Sequence, residues 1–226
     1  MDVFWSLPNV GELRGLHEPL AELFVSQGQS RRFEADASIS DPDTRPARTF
    51  TCSSGTLKVT KLLASGREIL ITILQGGSLW SDRAILNGYW KDVFIEAMEA
   101  AEIVSVDNDA FEKMVRARPE LVADFMLNIS GQVSDALTLL DDFRGRDVAS
   151  RLARVLVKFS KQYGVPTEAG VRIDLPVTHQ DLANMIGTAR ETVSRNMARF
   201  RQQGLVRDGQ QSLEITNLTS LEQLIA

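Results

Sequence analysis

Cysteine occurs once in these 226 residues, at Cys52, and histidine twice, at His17 and His179. A single thiol excludes a disulfide framework and the cysteine clusters that zinc and iron–sulfur centres need. The two histidines leave little for imidazole chemistry, since only His17 lies outside the segment 176–207 discussed below. A nucleophile–base pair, a metal-ligand cluster and a phosphate-binding glycine loop are all missing, so the chain does not read as an enzyme and no cofactor or metal is implied. Apolar runs never approach membrane-spanning length, and Met1-Asp2-Val3-Phe4-Trp5 lacks the basic start of a signal peptide. The expectation is a cytoplasmic protein without a membrane partner.

A basic surplus is also missing overall, because the net charge is −5. The charge is unevenly spread. Residues 144–226 hold 12 Lys+Arg against 8 Asp+Glu, a surplus of +4, which leaves −9 for residues 1–143. A segment that meets nucleic acid needs cations to replace the counterions of phosphate, and only the C-terminal part offers them.

That part contains the most specific pattern of the chain. Residues 176–207 read as a helix, a sharp turn and a second helix. Thr178 precedes His179-Gln180-Asp181 and can cap the first helix, with Asp181 completing a capping box. Leu182, Met185 and Ile186 recur at helical spacing and give that helix a buried side. Gly187 stands where the chain must turn, a place for positive φ. Thr188 is the predicted N-cap of the second helix. Along that helix Val193, Met197 and Phe200 share one face, and Arg190, Glu191 and Arg195 share the opposite one. Leu205-Val206-Arg207 and Leu213-Glu214-Ile215 then alternate around Asp208-Gly209 as a two-stranded hairpin, which makes the whole a winged helix-turn-helix. In such a motif the second helix enters the major groove, where arginine grips guanine O6 and N7 and a carboxylate accepts from cytosine N4.

The string Arg190-Glu191-Thr192-Val193-Ser194-Arg195 resembles the recognition-helix core of the CRP/FNR superfamily of bacterial transcription regulators. The resemblance implies that Arg190, Glu191 and Arg195 read bases, and that Thr178, His179 and Gln180 approach the phosphate backbone. Thr188, Thr192, Ser194 and Arg199 complete the expected DNA-binding set. Position 179 is commonly arginine in the family. The triplet matches the cyclic-AMP receptor branch, which implies a palindromic operator with TGTGA-like half-sites; a homodimer, RNA polymerase as a further partner and action as an activator are expected alongside it.

Residues 30–107 have a different texture. Thr49-Phe50-Thr51-Cys52, Thr56-Leu57-Lys58-Val59, Glu68 to Leu74 and Phe94-Ile95-Glu96-Ala97 are β-rich, with turns at Gly55, Ala64-Ser65-Gly66 and Gln75-Gly76-Gly77. Many short strands predict a sandwich or jelly roll. Ser54 to Val59 followed by Ser65-Gly66-Arg67-Glu68 is similar to the sensory, cyclic-nucleotide-binding-like β-roll of the same superfamily. Ahead of it, Pro8, Leu13, Leu16, Pro19, Leu20 and Leu23 mark a short helical lead-in.

A long helix is predicted from Pro119 to Asp142. Val122, Met126, Ile129, Val133, Ala136, Leu140 and Phe143 alternate at spacings of four and three, the seam of a coiled coil and of a dimer. Arg144-Gly145-Arg146-Asp147 reads as a hinge into a helix from Val148 to Tyr163, which Asp147 can cap. The expected fold is therefore α+β: a sensory β-roll with its lead-in over 1–118, a dimerisation helix over 119–143 and a winged helix-turn-helix over 144–226.

The effector is constrained mainly by what does not match. Cyclic-AMP receptors share a Gly-Glu pair and an Arg-Ser pair that hold ribose and phosphate; ungapped matching from Ala97 puts these on Trp80-Ser81 and Lys91-Asp92. The ribose-binding glutamate is missing, Asp92 repels a phosphate, and the positions that contact adenine fall on Ala136 and Leu137. Cyclic AMP is not the expected ligand. Leu79, Trp80, Ser81, Arg83, Lys91, Val133, Ala136 and Leu137 form the candidate pocket, although Trp80 and Trp90 also suit core packing and a loop cover. Gly164-Val165-Pro166 and Ile173-Asp174-Leu175, in what reads as a linker, and Ser78-Leu79-Trp80 in the roll look like the nitrogen-control branch, which implies a 2-oxoglutarate-like dicarboxylate with Arg83 as its candidate cation. Alternatives stay open: a haem-dependent gas sensor using His17, a small-molecule-binding module whose helix-turn-helix contacts protein, or an effector-free regulator controlled by abundance or by oxidation of Cys52.

Overall fold

The computed structural model describes residues 18–40, 48–81, 92–119, 122, 147–209 and 212–225. The chain divides into two compact units, Met1–Ser134 and Asp135–Ala226.

In the first unit, α1 (Glu18–Gln27) leads into β1 (Gln29–Phe33), β2 (Ser38–Ser40), β3 (Arg48–Ser54), β4 (Leu57–Leu62), β5 (Glu68–Leu74), β6 (Leu79–Ser81), β7 (Val93–Ala97) and β8 (Ala101–Asp107), followed by α2 (Asn108–Ala117). The strands form two antiparallel sheets, ordered β1-β8-β3-β6 and β2-β7-β4-β5. Alternation along each strand sends one set of side chains between the sheets. Phe33, Phe50, Cys52, Leu57, Val59, Trp80, Ile95 and Ile103 meet there in one apolar cluster. A second cluster joins Leu23, Phe24 and Phe111 from α1 and α2 to Leu79, Val104 and Val106. Asp107 caps α2 by accepting from the Asp109 amide at 2.9 Å.

The four strands singled out from sequence are present as β3, β4, β5 and β7. The others carry weak patterns: β2 and β6 are three residues long, and β1 (Gln-Ser-Arg-Arg-Phe) has adjacent arginines that break its alternation. Helix α2 was not anticipated, although Phe111, Met114 and Val115 stand at i, i+3 and i+4. Of the expected long helix the described residues are Pro119 and Val122: the Val122 amide donates to the Pro119 carbonyl at 3.1 Å, and Val122 is helical and 42% exposed. Met126, Ile129, Val133, Ala136, Leu140 and Phe143 lie outside the described residues, as do residues 1–17 of the lead-in and 144–146 of the hinge.

In the second unit, α3 (Val148–Tyr163) spans the helix expected from sequence, and Asp147 caps it by accepting from the Ser150 amide at 2.7 Å. Strands β9 (Gly164–Thr167) and β10 (Gly170–Ile173) precede α4 (His179–Ile186), α5 (Arg190–Gln202), β11 (Val206–Asp208), β12 (Leu213–Ile215) and α6 (Leu218–Gln223). Residues 164–175, read above as a linker, are thus largely a hairpin, and it joins the wing in one sheet ordered β11-β12-β10-β9. Pro166 obscured β9, but β9 is an edge strand, where a missing N–H is tolerated. Gly170 has φ of 150°, and a Cβ there would stand 2.0 Å from the Ile215 carbonyl oxygen. Leu152, Leu156, Phe159, Ile173, Leu182, Ile186, Val193, Met197, Phe200, Ile215 and Leu221 are all buried in this unit.

Among the described residues no helix is long and apolar enough to cross a membrane. Nor does any group of three or more His, Cys, Asp and Glu among them stand ready to hold a metal ion.

Candidate nucleic-acid interface

The interface candidate is built on a rigid local frame. Thr178 and Asp181 form a complete capping box: the Asp181 amide donates to Thr178 Oγ1 at 3.1 Å, and the Thr178 amide donates to Asp181 Oδ2 at 2.9 Å. Helix α4 ends at Gly187, whose φ of 65° and ψ of 46° are left-handed, and its amide returns to the Ala183 carbonyl. The Thr188 amide returns to the same carbonyl at 3.0 Å. Thr188 is therefore still closing the first helix. The N-cap of α5 falls one residue later, on Ala189, which has no side-chain oxygen to offer, so the predicted Thr188 cap is corrected.

Past that turn, α5 divides cleanly. Val193, Met197 and Phe200 are buried, while Arg190, Glu191, Arg195 and Arg199 are exposed on the other side. The separation follows from 3.6 residues per turn, which sets apolar positions at three and four apart against charged ones. Arg195 Nη2 donates to Thr192 Oγ1 at 3.3 Å, and Asn196 donates to the Thr192 carbonyl at 2.9 Å. Thr178 and Gln180 are exposed at the first turn of α4, where Gln180 Nε2 donates to Asn184 Oδ1 at 2.8 Å. His179 and Ser194 behave differently: both are half-buried, and Nδ1 lies 2.9 Å from Oγ, joining α4 to α5. Partial burial, then the charges of Arg201 and Arg190, hold His179 below the ordinary imidazole range.

Two ion pairs absent from the sequence reading fix the wing. Arg201 near the end of α5 bonds Asp208 on β11 at 2.8 Å. Glu214 on β12 is buried beneath Arg207, its cross-strand partner, and also accepts from the Thr167 hydroxyl on β9. The Thr167 and Arg207 hydrogen bonds hold the Glu214 carboxyl below the ordinary carboxylate range. The Arg207–Glu214 pair was within reach of the hairpin pattern, since opposite charges favour facing positions.

The candidate effector residues are not assembled in the same way. Leu79 and Trp80 are adjacent on β6, so they face opposite sides of it: Leu79 packs beneath α1 and α2, Trp80 between the sheets. Ser81 closes β6, and Asp92 adopts a left-handed φ of 69° just before β7. Arg83, Lys91, Val133, Ala136 and Leu137 lie outside the described residues, as do Trp90 and His17.

Cys52 is buried on β3, with Sγ 3.2 Å from the Ser54 carbonyl oxygen and 3.4 Å from that of Gly55. Burial, reinforced by the Glu99 charge, pushes its thiol up to about 12. On the order of one thiol in 10⁵ is then ionised at neutral pH, and the thiolate is the reactive form. Native protein is expected to leave a chromogenic disulfide reagent unreacted, with one thiol released on denaturation. Reaction in the native state at the rate of a free thiol would show the burial to be wrong and would revive oxidation as a control.

Comparison with known proteins agrees with this anatomy. Residues 30–118 match the model of the cyclic nucleotide-binding domain family, and residues 150–224 match that of the Crp-like helix-turn-helix domain. The chain is 27% identical over 197 residues to the global nitrogen regulator of Synechococcus elongatus, covering 86% of this chain and 89% of that one. It is 24% identical over 160 residues to the CRP-like cAMP-activated global transcriptional regulator of Mycobacterium tuberculosis, covering 71% of each. Among solved structures, a CooA mutant from Carboxydothermus hydrogenoformans superposes with a TM-score of 0.78 at 23% identity, over 99% of this chain and 98% of that one. FixK2 from Bradyrhizobium japonicum gives 0.76 at 18% identity, over 88% and 98%. Both structural likenesses speak to the fold. The curated relatives are regulators of transcription rather than enzymes. With an effector-binding domain ahead of a DNA-binding helix-turn-helix, the chain belongs to the CRP/FNR family of transcription regulators.

Proposed function

We propose that this regulator binds a palindromic operator as a homodimer, with Arg190, Glu191 and Arg195 on base edges. The observation that carries the reading is the exposed triplet on α5, held opposite the buried Val193, Met197 and Phe200. Thr178, His179 and Gln180 approach the phosphate backbone in this reading, and Thr188, Thr192, Ser194 and Arg199 complete the DNA-binding set. Two such helices related by a two-fold axis would reach successive major grooves about 34 Å apart, and the seam from Val122 to Phe143 is the proposed dimer contact. TGTGA-like half-sites are the expected operator, RNA polymerase the further partner, activation the direction and the cytoplasm the place of action.

The proposed effector is not cyclic AMP. Trp80, which stands where the ribose-binding pair would begin, is a core side chain, and Asp92 replaces part of the phosphate-binding pair. A 2-oxoglutarate-like dicarboxylate is the class to test first, on the likeness to global nitrogen regulators.

The test is selection of random duplex DNA by the purified chain, alone, with cyclic AMP and with 2-oxoglutarate. Enrichment of a TGTGA-like palindrome is expected, and its dependence on each addition identifies the effector class. Enrichment of an unrelated sequence would overturn the operator, and salt-insensitive binding without enrichment would overturn the DNA-reading role, since phosphate contacts weaken steeply with salt.

A further inference from the structure

We infer that DNA binding by this chain takes up a proton, and that His179 is the residue that takes it. The inference rests on the reading above, in which the first turn of α4 meets the DNA backbone, and adds a linkage to it.

The geometry sets up two protonation states with different partners. His179 Nδ1 lies 2.9 Å from Ser194 Oγ, so α4 and α5 are joined through this ring. Among the described residues Nε2 has no hydrogen-bond partner. A neutral ring accepts the Ser194 hydroxyl at Nδ1 and carries its one N–H at Nε2. An imidazolium donates from both nitrogens, with Ser194 accepting instead. The contact between the helices survives in either state, so protonation changes the charge of the frame without dismantling it.

The charges around the ring favour the neutral state in the free chain. From α5, Arg190 and Arg201 both face it and oppose a positive charge; from β11, Asp208 favours one but is itself paired with Arg201 at 2.8 Å. On its own helix, the Asp181 carboxylate is committed to the Thr178 amide and hydroxyl at 2.9 and 2.6 Å. Partial burial works in the same direction as the two arginines and is the larger influence. A DNA phosphate reverses this balance, because it offsets the arginine charges and accepts a hydrogen bond from a protonated ring.

The sign of the linkage follows. Binding raises the basicity of His179, so affinity grows as pH falls from above the DNA-bound midpoint to below the free one, by at most about tenfold per pH unit per protomer. Stability of the free chain moves the opposite way. A histidine held below its ordinary range contributes stability that is complete above that range and is lost as pH falls. Acid therefore loosens the free winged helix while tightening its complex, and unfolding cannot imitate the effect.

The full chain is titrated between about pH 5 and 8, the window in which histidine alone among unperturbed side chains changes charge, at constant ionic strength. The probes are a duplex with two TGTGA half-sites and a duplex of scrambled sequence. With only two histidines in the chain, ring resonances give their midpoints directly, and a His17→Gln variant assigns the signal of His179. The expected results are a rise of the His179 midpoint on adding DNA, stronger binding at lower pH, and a pH-independent affinity in His179→Gln. An unmoved or lowered midpoint in wild-type protein overturns the inference whether or not the variant folds. So does an unchanged pH slope in His179→Gln, while DNA binding itself stands in both cases. Failure to bind either duplex at any pH overturns the DNA-contact reading, and the inference falls with it.

Discussion

Phe200→Ala is expected to destabilise the winged helix by about 3–5 kcal/mol, the range for removing a large aromatic side chain from a packed core. Phe200 is fully buried, and it sits beside Met197 and Val193 on the face of α5 turned away from solvent. The chain cannot easily collapse into the space. Just beyond it, the Leu205 amide donates to the Phe200 carbonyl at 2.9 Å, and Gly204 carries the turn into β11 with φ of 68°. Helix end and wing strand are thus pinned on either side of the missing ring. Domains of this size are stable by only about 5–15 kcal/mol, so much of the margin is removed. The neighbouring Arg199→Ala provides the control: its guanidinium is 5.9 Å from the Phe200 ring centroid but exposed, and a surface change should stay within about 0.5 kcal/mol. Denaturant midpoints of the two variants measure the difference. A loss below about 1 kcal/mol for Phe200→Ala would contradict the packing of α5 described above.

Features of the frame that depend on a few neighbouring residues were legible in the sequence. The Asp147 cap, the Thr178–Asp181 box and the left-handed Gly187 each follow from side-chain chemistry within four positions, and each is present as read. Thr188 went wrong for a local reason as well: its amide belongs to the closing turn of α4, a competition that residue type alone does not resolve. Contacts that need the tertiary arrangement were not legible. His179 and Ser194 are fifteen residues apart and meet only because α4 and α5 cross. Thr167 reaches Glu214 only once β9 and β10 are recognised as a hairpin rather than a linker. In the β-roll, the two-residue period of a strand sends the neighbours Leu79 and Trp80 of β6 to opposite faces. Trp80, read as either core packing or pocket wall, joins the apolar cluster between the sheets.

Arg190→Ala and Arg195→Ala are each expected to weaken discrimination at one base pair of the half-site by about 1–3 kcal/mol, or roughly 5- to 150-fold, with folding unchanged. Neither side chain supports the core. Both are exposed, and the contact of Arg195 with Thr192 is a long 3.3 Å bond on the helix surface, worth little in water. Five residues separate them, about 7.5 Å along the helix axis, so they address different base pairs and their losses should be close to additive. Arg199 makes a useful contrast. It lies farther along α5, away from the N-terminal residues that enter the groove, and its removal should weaken binding to all sequences alike. The salt dependence should also flatten, by about one phosphate equivalent. Binding of each variant to the selected operator, and to operators altered at one base pair, separates the two patterns. A uniform loss across sequences for Arg190→Ala and Arg195→Ala would reduce both residues to phosphate contacts. Base reading would then have to lie elsewhere on α5, with Glu191 as the remaining exposed side chain of the first turn.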